Sequence, residues 1–89
     1  MHTEQLLVTA IESFRVGREA QGCEALAAFM ARLNLLINHH ADALTEVDVA
    51  LVNAIARAQA RGDLIYVADL LEYELPRCEL GQLLNAPAD

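Results

Sequence analysis

The chain has 89 residues, of which 55% are hydrophobic and 21% charged, and its formal net charge at pH 7 is −7. That length fits one domain, and the apolar content exceeds the roughly 45 to 50% typical of soluble domains. The chain has thirteen acidic residues, six scattered arginines and no lysine. Because binding to nucleic acid or to an anionic membrane needs clustered positive charge, we expect no surface of either kind. No apolar run approaches the roughly 18 residues of a membrane helix and no secretory signal opens the chain, which predicts a cytoplasmic protein.

Apolar residues recur at helical spacing in four stretches, which predicts an all-α fold. The first helix is predicted from Thr3, as its cap, to about Val16. Gly17 and Gly22 bracket the predicted turn, because glycine tolerates left-handed backbone angles. The second helix is then predicted from about Cys23 to His39.

The third helix is predicted to begin at Thr45, whose side chain can cap it, with Asp48 in the electropositive first turn. Gly62 is predicted to end it, and Asp63 to cap the fourth helix. The predicted core stripe of the third helix consists of Val47, Leu51, Ala54, Ile55 and Ala58.

Pro76 interrupts the fourth helix, because proline lacks the amide hydrogen and clashes with the preceding turn. We expect a kink or a stop near Leu75, then a short last turn over residues 77–84. The predicted architecture is one domain, residues 1–84: a bundle of four helices arranged as two helical hairpins. Residues 85–89 are predicted to be a frayed tail.

The predicted second helix is apolar on more than one side, which is typical of a helix that is central in a bundle or shared between two subunits. Apolar surface in excess of one small core favours a homodimer. Burial in an ordinary core is the alternative for each contact residue. The predicted contact residues are Leu26, Phe29, Met30, Leu33 and Leu36, with Tyr66 and Tyr73 as aromatic anchors.

His39 and His40 are the first residues to consider for chemistry. Adjacent residues on a helix point about 100° apart, so the two rings are poorly placed to hold one ion. A histidine near a helix end also suits the negative end of the helix dipole. A metal-binding or phosphoryl-accepting bundle that uses His39 and His40 is nevertheless the alternative function.

No other group of residues in the sequence indicates a catalytic, metal-binding or nucleotide-binding site. Cys23 and Cys78 are far apart, without a CxxC motif, and are predicted to be buried or half-buried thiols. The chain contains no Gly-rich phosphate loop and no Ser/His/Asp set in a plausible order. We therefore expect a protein that is not an enzyme and holds neither a metal nor a cofactor.

The stretch from Gly62 to Pro76, GDLIYVADLLEYELP, resembles a segment of small all-helical bacterial proteins of unassigned function, some encoded near flagellar or motility genes. The resemblance covers about a sixth of the chain and brings no catalytic or binding residues. It implies an accessory or chaperone-like protein with a helical partner. The combined expectation is a non-enzymatic protein–protein interaction module that forms a homodimer and acts as an adaptor.

Overall fold

The computed structural model describes residues 2–84, which form five helices and no strand. The helices are α1 (Thr3–Arg15), α2 (Glu19–His39), α3 (Glu46–Ala60), α4 (Leu64–Asp69) and α5 (Glu79–Leu84), with a 3₁₀ turn at Ala41–Ala43. The predicted all-α class is confirmed, and the predicted tail, 85–89, lies outside the described residues. No helix in residues 2–84 combines the length and apolar character of a membrane span.

α4 runs on beyond Asp69 without a break. A π-helical segment, Leu70–Glu74, follows it, and a 3₁₀ turn, Leu75–Arg77, contains the proline. The Leu75 amide donates to the Leu70 carbonyl, five residues back, and Cys78 then adopts an extended backbone that separates this turn from α5. The predicted interruption near Leu75 is therefore confirmed as a loosening and then an end of the helix, as expected where proline cannot donate.

The turns after α1 and α3 are built alike. Gly17 has φ 82° and Gly62 has φ 74°, both in the left-handed region. In each turn the residue after the glycine donates its amide hydrogen to the carbonyl four residues before the glycine, at 2.8 Å after α1 and 2.9 Å after α3. Each helix thus ends in a Schellman motif, which the sequence predicted only as glycine-containing turns.

Replacing Gly62 by alanine is expected to lower the free energy of unfolding by about 1 kcal/mol, because a side chain disfavours the left-handed backbone. No atom lies within 4 Å of a Cβ built at this position, so backbone strain is the whole cost. Urea unfolding followed by circular dichroism measures the change. Gly62→Asn is the matched control with a smaller loss, and equal stability of all three proteins would contradict a left-handed turn.

Gly22 lies at a close contact between two helices, whereas Gly17 lies in a turn. α2 begins at Glu19, so the predicted turn up to Gly22 is wrong and Gly22 lies inside the helix. A Cβ at Gly22 would lie 2.5 Å from two carbons of the Phe14 ring, and this close contact between α1 and α2 accounts for the glycine. The predicted Thr3 cap is also wrong, since His2 precedes α1 and its amide donates to Gln5 Oε1 at 3.2 Å.

The core lies where α1 crosses both α2 and α4. α3 packs against α4 and the π-helical segment, and α5 packs against α2 and the 3₁₀ turn before it. The largest fully buried apolar side chains are Leu26, Phe29, Leu33, Ile55, Val67, Leu71, Leu75 and Leu80. One apolar core therefore involves all five helices of the described range.

Asp48 is buried among these apolar residues, with 1% of its surface exposed. Its Oδ2 accepts hydrogen bonds from the Thr45 amide (2.8 Å) and hydroxyl (2.9 Å), and its Oδ1 accepts from the Leu80 amide (2.9 Å). Burial alone would raise the pKa of Asp48, but hydrogen bonds from Thr45, Leu80 and Cys78 outweigh it and lower the pKa to about 2. Asp48 lies in the first turn of α3, as predicted, and its carboxylate also caps this helix and joins its start to the start of α5.

Candidate protein-binding groove

A groove runs between α3 and α4. It encloses about 550 Å³ and continues along the π-helical segment to the 3₁₀ turn. α3 contributes Val47, Ala50 and Ala54, the opposite wall contributes Tyr66, Leu70 and Tyr73, and the rim carries Asp69, Glu74 and Arg77. We call this surface the α3–α4 groove.

The groove exposes apolar side chains that an isolated chain would normally bury. Val47 is 66% exposed, Tyr73 58% and Tyr66 42%. Covering such surface yields about 25 cal/mol per Å² of apolar area, and aromatic side chains often carry the largest share of binding energy. The predicted core position of Val47 is wrong, because the buried side of α3 is centred on Asp48, Leu51 and Ile55, and Val47 lies at its margin.

The π-helical segment shapes one wall of this groove. A π turn contains more residues than an α turn, which changes the direction of the side chains that follow it. Leu70 and Leu71 are both buried. Tyr73 is left exposed beside Leu70 in the groove, where a partner side chain can reach it.

Arg15 of α1 connects to the same wall. Its Nη2 lies 2.9 Å from Asp69 Oδ1 and 3.1 Å from Glu72 Oε1, and its guanidinium carbon lies 6.0 Å from the centre of the Tyr73 ring. The hydrogen bond to Asp69 raises the pKa of Arg15, and the hydrogen bond with Glu72 raises the pKa of Tyr73. Exposed ion pairs stabilise proteins little, so we assign this contact the role of holding Tyr73 and α4 in position beside α1.

Three of the predicted contact residues belong to the core. Leu26, Phe29 and Leu33 have no exposed surface, so we withdraw them as contact residues. Met30 and Leu36 are half-buried beside them on α2. α1 and α5 pack against the buried residues of α2, whereas Leu35, on the second apolar side that suggested a seam between subunits, is 60% exposed.

The two predicted aromatic anchors, in contrast, lie together. Tyr66 and Tyr73 face the same groove, one turn before and one turn after the point where α4 becomes π-helical. Sequence reasoning missed the opposite wall, Val47 with Ala50 and Ala54. The available signal was the apolar Val47 immediately before Asp48, but helical periodicity alone placed it inside.

His39 and His40 lie exposed at the end of α2. Within residues 2–84, no three histidine, cysteine, aspartate or glutamate side chains converge in a way that could hold a metal ion. The histidine-based function stays a prediction. Cys23 is half-buried and Cys78 buried, and both are free thiols, as predicted.

Comparison of the chain with protein-family models, curated proteins and solved structures finds no match.

Proposed function

We propose that this chain is a non-enzymatic protein–protein interaction module, a homodimer that holds an amphipathic helix of another protein in its α3–α4 groove. The observation that carries the proposal is the exposure of Val47, Tyr66 and Tyr73 around one concave surface. A helix that lays its apolar face into such a groove buries residues spaced three and four positions apart. Tyr66, Leu70 and Tyr73 have this spacing on the receiving wall.

The negative net charge of the chain favours a partner helix with a basic flank. The rim of the groove is nearly balanced in charge, because it carries Arg77 as well as Glu74 and because Asp69 makes an ion pair with Arg15. The chain as a whole carries a net charge of −7, which adds a long-range attraction for a basic partner.

The wider role extends this proposal. An accessory, chaperone-like or adaptor protein shields an apolar segment of its partner, and the α3–α4 groove offers the surface for that task. The resemblance of Gly62–Pro76 to motility-associated proteins covers the wall that carries both tyrosines, so we propose a bacterial, cytoplasmic setting that includes motility. A bundle of two hairpins, α1 with α2 and α3 with α4, is the arrangement that we propose for the domain.

The test compares three forms of the immobilised full chain in a lysate of the source cells. We expect one or more proteins to bind the unchanged chain and to be lost at least tenfold with Tyr66→Glu/Tyr73→Glu, because a hot-spot tyrosine contributes about 2 kcal/mol or more. Leu35→Glu is the matched control, since Leu35 is 60% exposed on α2 and lies outside the groove.

We expect the Leu35→Glu protein to capture the partner that the Tyr66→Glu/Tyr73→Glu protein fails to capture. Circular dichroism of all three proteins checks that the substitutions leave the fold intact. Equal capture by the double variant and the unchanged chain would refute the groove as the binding site.

A further inference from the structure

One whole side of α3 is left uncovered by the other residues of the described range. Its buried residues, Leu51, Ile55 and Ala58 with Asp48, lie on one side, and α2 makes no extensive contact with α3. The opposite side carries Glu46, Val49, Ala50, Asn53, Arg57 and Ala60, all exposed. We call these six residues the outer stripe of α3.

We infer that the outer stripe of α3 is the surface through which two copies of this chain associate, with the two α3 helices antiparallel around a two-fold axis near Asn53. The inference rests on the proposed homodimer and adds to it the contact surface and the orientation. The outer stripe shares Ala50 with the α3 wall of the α3–α4 groove but contains none of the residues of its tyrosine wall.

The order of charges along the stripe supports a second copy as the occupant. Glu46 stands at the beginning of the stripe and Arg57 near its end, and Arg61, which follows α3 directly, adds a second positive charge at that end. In residues 2–84 the ion pairs are those of Arg15, so Glu46, Arg57 and Arg61 are not paired with another described residue. Antiparallel packing brings Glu46 of each copy opposite Arg57 and Arg61 of the other, whereas parallel packing would set like charges against each other.

The middle of the stripe suits close contact between two helices. Asn53 lies halfway between Glu46 and Ala60, so an axis near it brings the two Asn53 side chains together, where their amides can hydrogen-bond to each other. A polar residue at such a position fixes the register of paired helices. Ala50 and Ala60 keep the flanks of the stripe small, which permits the 8–10 Å separation of packed helices.

The apolar part of the proposed contact between two copies consists of Val49 and the hollow beside it. Val49 is 57% exposed, and with Ala50 it forms one wall of a hollow of about 600 Å³. The other wall consists of Ile37, Ala41 and Leu44, from the end of α2 and the linker to α3. The second copy's α3, about 22 Å long, can lie over this wall and cover it.

Charge exchange tests both the surface and the orientation. One protein carries Glu46→Arg, and a second carries Arg57→Glu/Arg61→Glu. We expect each to dissociate at least tenfold more readily than the unchanged chain, because like charges then meet at both ends of the contact. An equal mixture is expected to recover the dimer, since each end of the mixed pair again joins Arg to Glu.

Sedimentation velocity over a dilution series measures the association, with circular dichroism as the check on folding. Leu35→Glu on α2 should dimerise like the unchanged chain. Tyr66→Glu/Tyr73→Glu should also dimerise, so failure of the groove proposal and failure of the dimer proposal give different results. The inference is overturned if the unchanged chain is monomeric at about 100 µM, if the two charge variants dimerise normally, or if their mixture does not recover the dimer.

Discussion

Replacing Phe29 by alanine is expected to lower the free energy of unfolding by about 3 to 5 kcal/mol, the range for removing a large aromatic side chain from a core. Phe29 has no exposed surface and lies in the same cluster as Leu26 and Leu33. The deletion leaves a cavity that a close-packed interior refills only in part. A domain of this size has a total stability of about 5 to 15 kcal/mol, so the variant loses a large part of it.

Guanidinium unfolding monitored by the helical circular dichroism signal measures this loss. Leu35→Ala is the control on the same helix, and its effect is expected to stay within about 0.5 kcal/mol because the side chain is largely exposed. The sequence alone places Phe29 among the contact residues and predicts that polar residues at Phe29 and Leu36 together abolish association while leaving helicity. A Phe29→Ala protein that is as stable as the unchanged chain but loses self-association would restore that interpretation.

The difference between Phe29 and Tyr73 shows how far the sequence could predict the site. Both are aromatic residues on amphipathic helices, and spacing alone gave each the same two alternatives, core or contact. The outcome depends on which neighbouring helices cover them. α1 and α5 cover α2, whereas nothing in the described residues covers the groove side of α4. That information is tertiary, and a single amphipathic pattern does not contain it.

The helices and their ends were more predictable than the packing. The ends of helices depend on local hydrogen bonds, which the sequence can predict. The structure accordingly places Thr45, Gly62 and Asp63 at the predicted ends of α3 and α4. The sequence predicts the start of α2 too late, because it assigns Gly22 to a turn. Glycine is equally suitable in a turn and at a close contact between helices, and Gly22 lies at such a contact. The π-helical segment, Leu70–Glu74, was not predicted, since its apolar residues fit an ordinary α-helix.

Asp48 both caps α3 and accepts a hydrogen bond from α5. Replacing Asp48 by alanine is expected to lower the free energy of unfolding by about 3 kcal/mol. The change leaves the buried amide of Leu80 and the part-buried amide of Thr45 without their acceptor, and a buried group left in this way costs about 1 to 3 kcal/mol. Thermal or urea unfolding measures the effect. Asp42→Asn, on the exposed turn before α3, is the control with an expected change below about 0.5 kcal/mol.

The same carboxylate gives the folded chain an acid-sensitive contribution to stability. The pKa of Asp48 is lowered from 3.8 to about 2 in the folded state, so the folded chain holds the ionised form more strongly than the unfolded chain does. This contribution, about 2 kcal/mol, is fully present above the unfolded pKa and is lost as the pH falls from about 4 through about 2. Asp48→Asn cannot ionise and lacks it at every pH.

The stability gap between the unchanged chain and Asp48→Asn therefore isolates this one group, because every other carboxylate titrates in both proteins. We expect the gap to be constant from pH 7 to pH 5 and to narrow by about 1 kcal/mol or more on acidification to pH 2. Urea unfolding at a series of pH values measures it. A gap that stays constant down to pH 2 would mean that the hydrogen bonds from Thr45 and Leu80 do not favour the charged carboxylate, and that the tie between α3 and α5 depends on shape rather than charge.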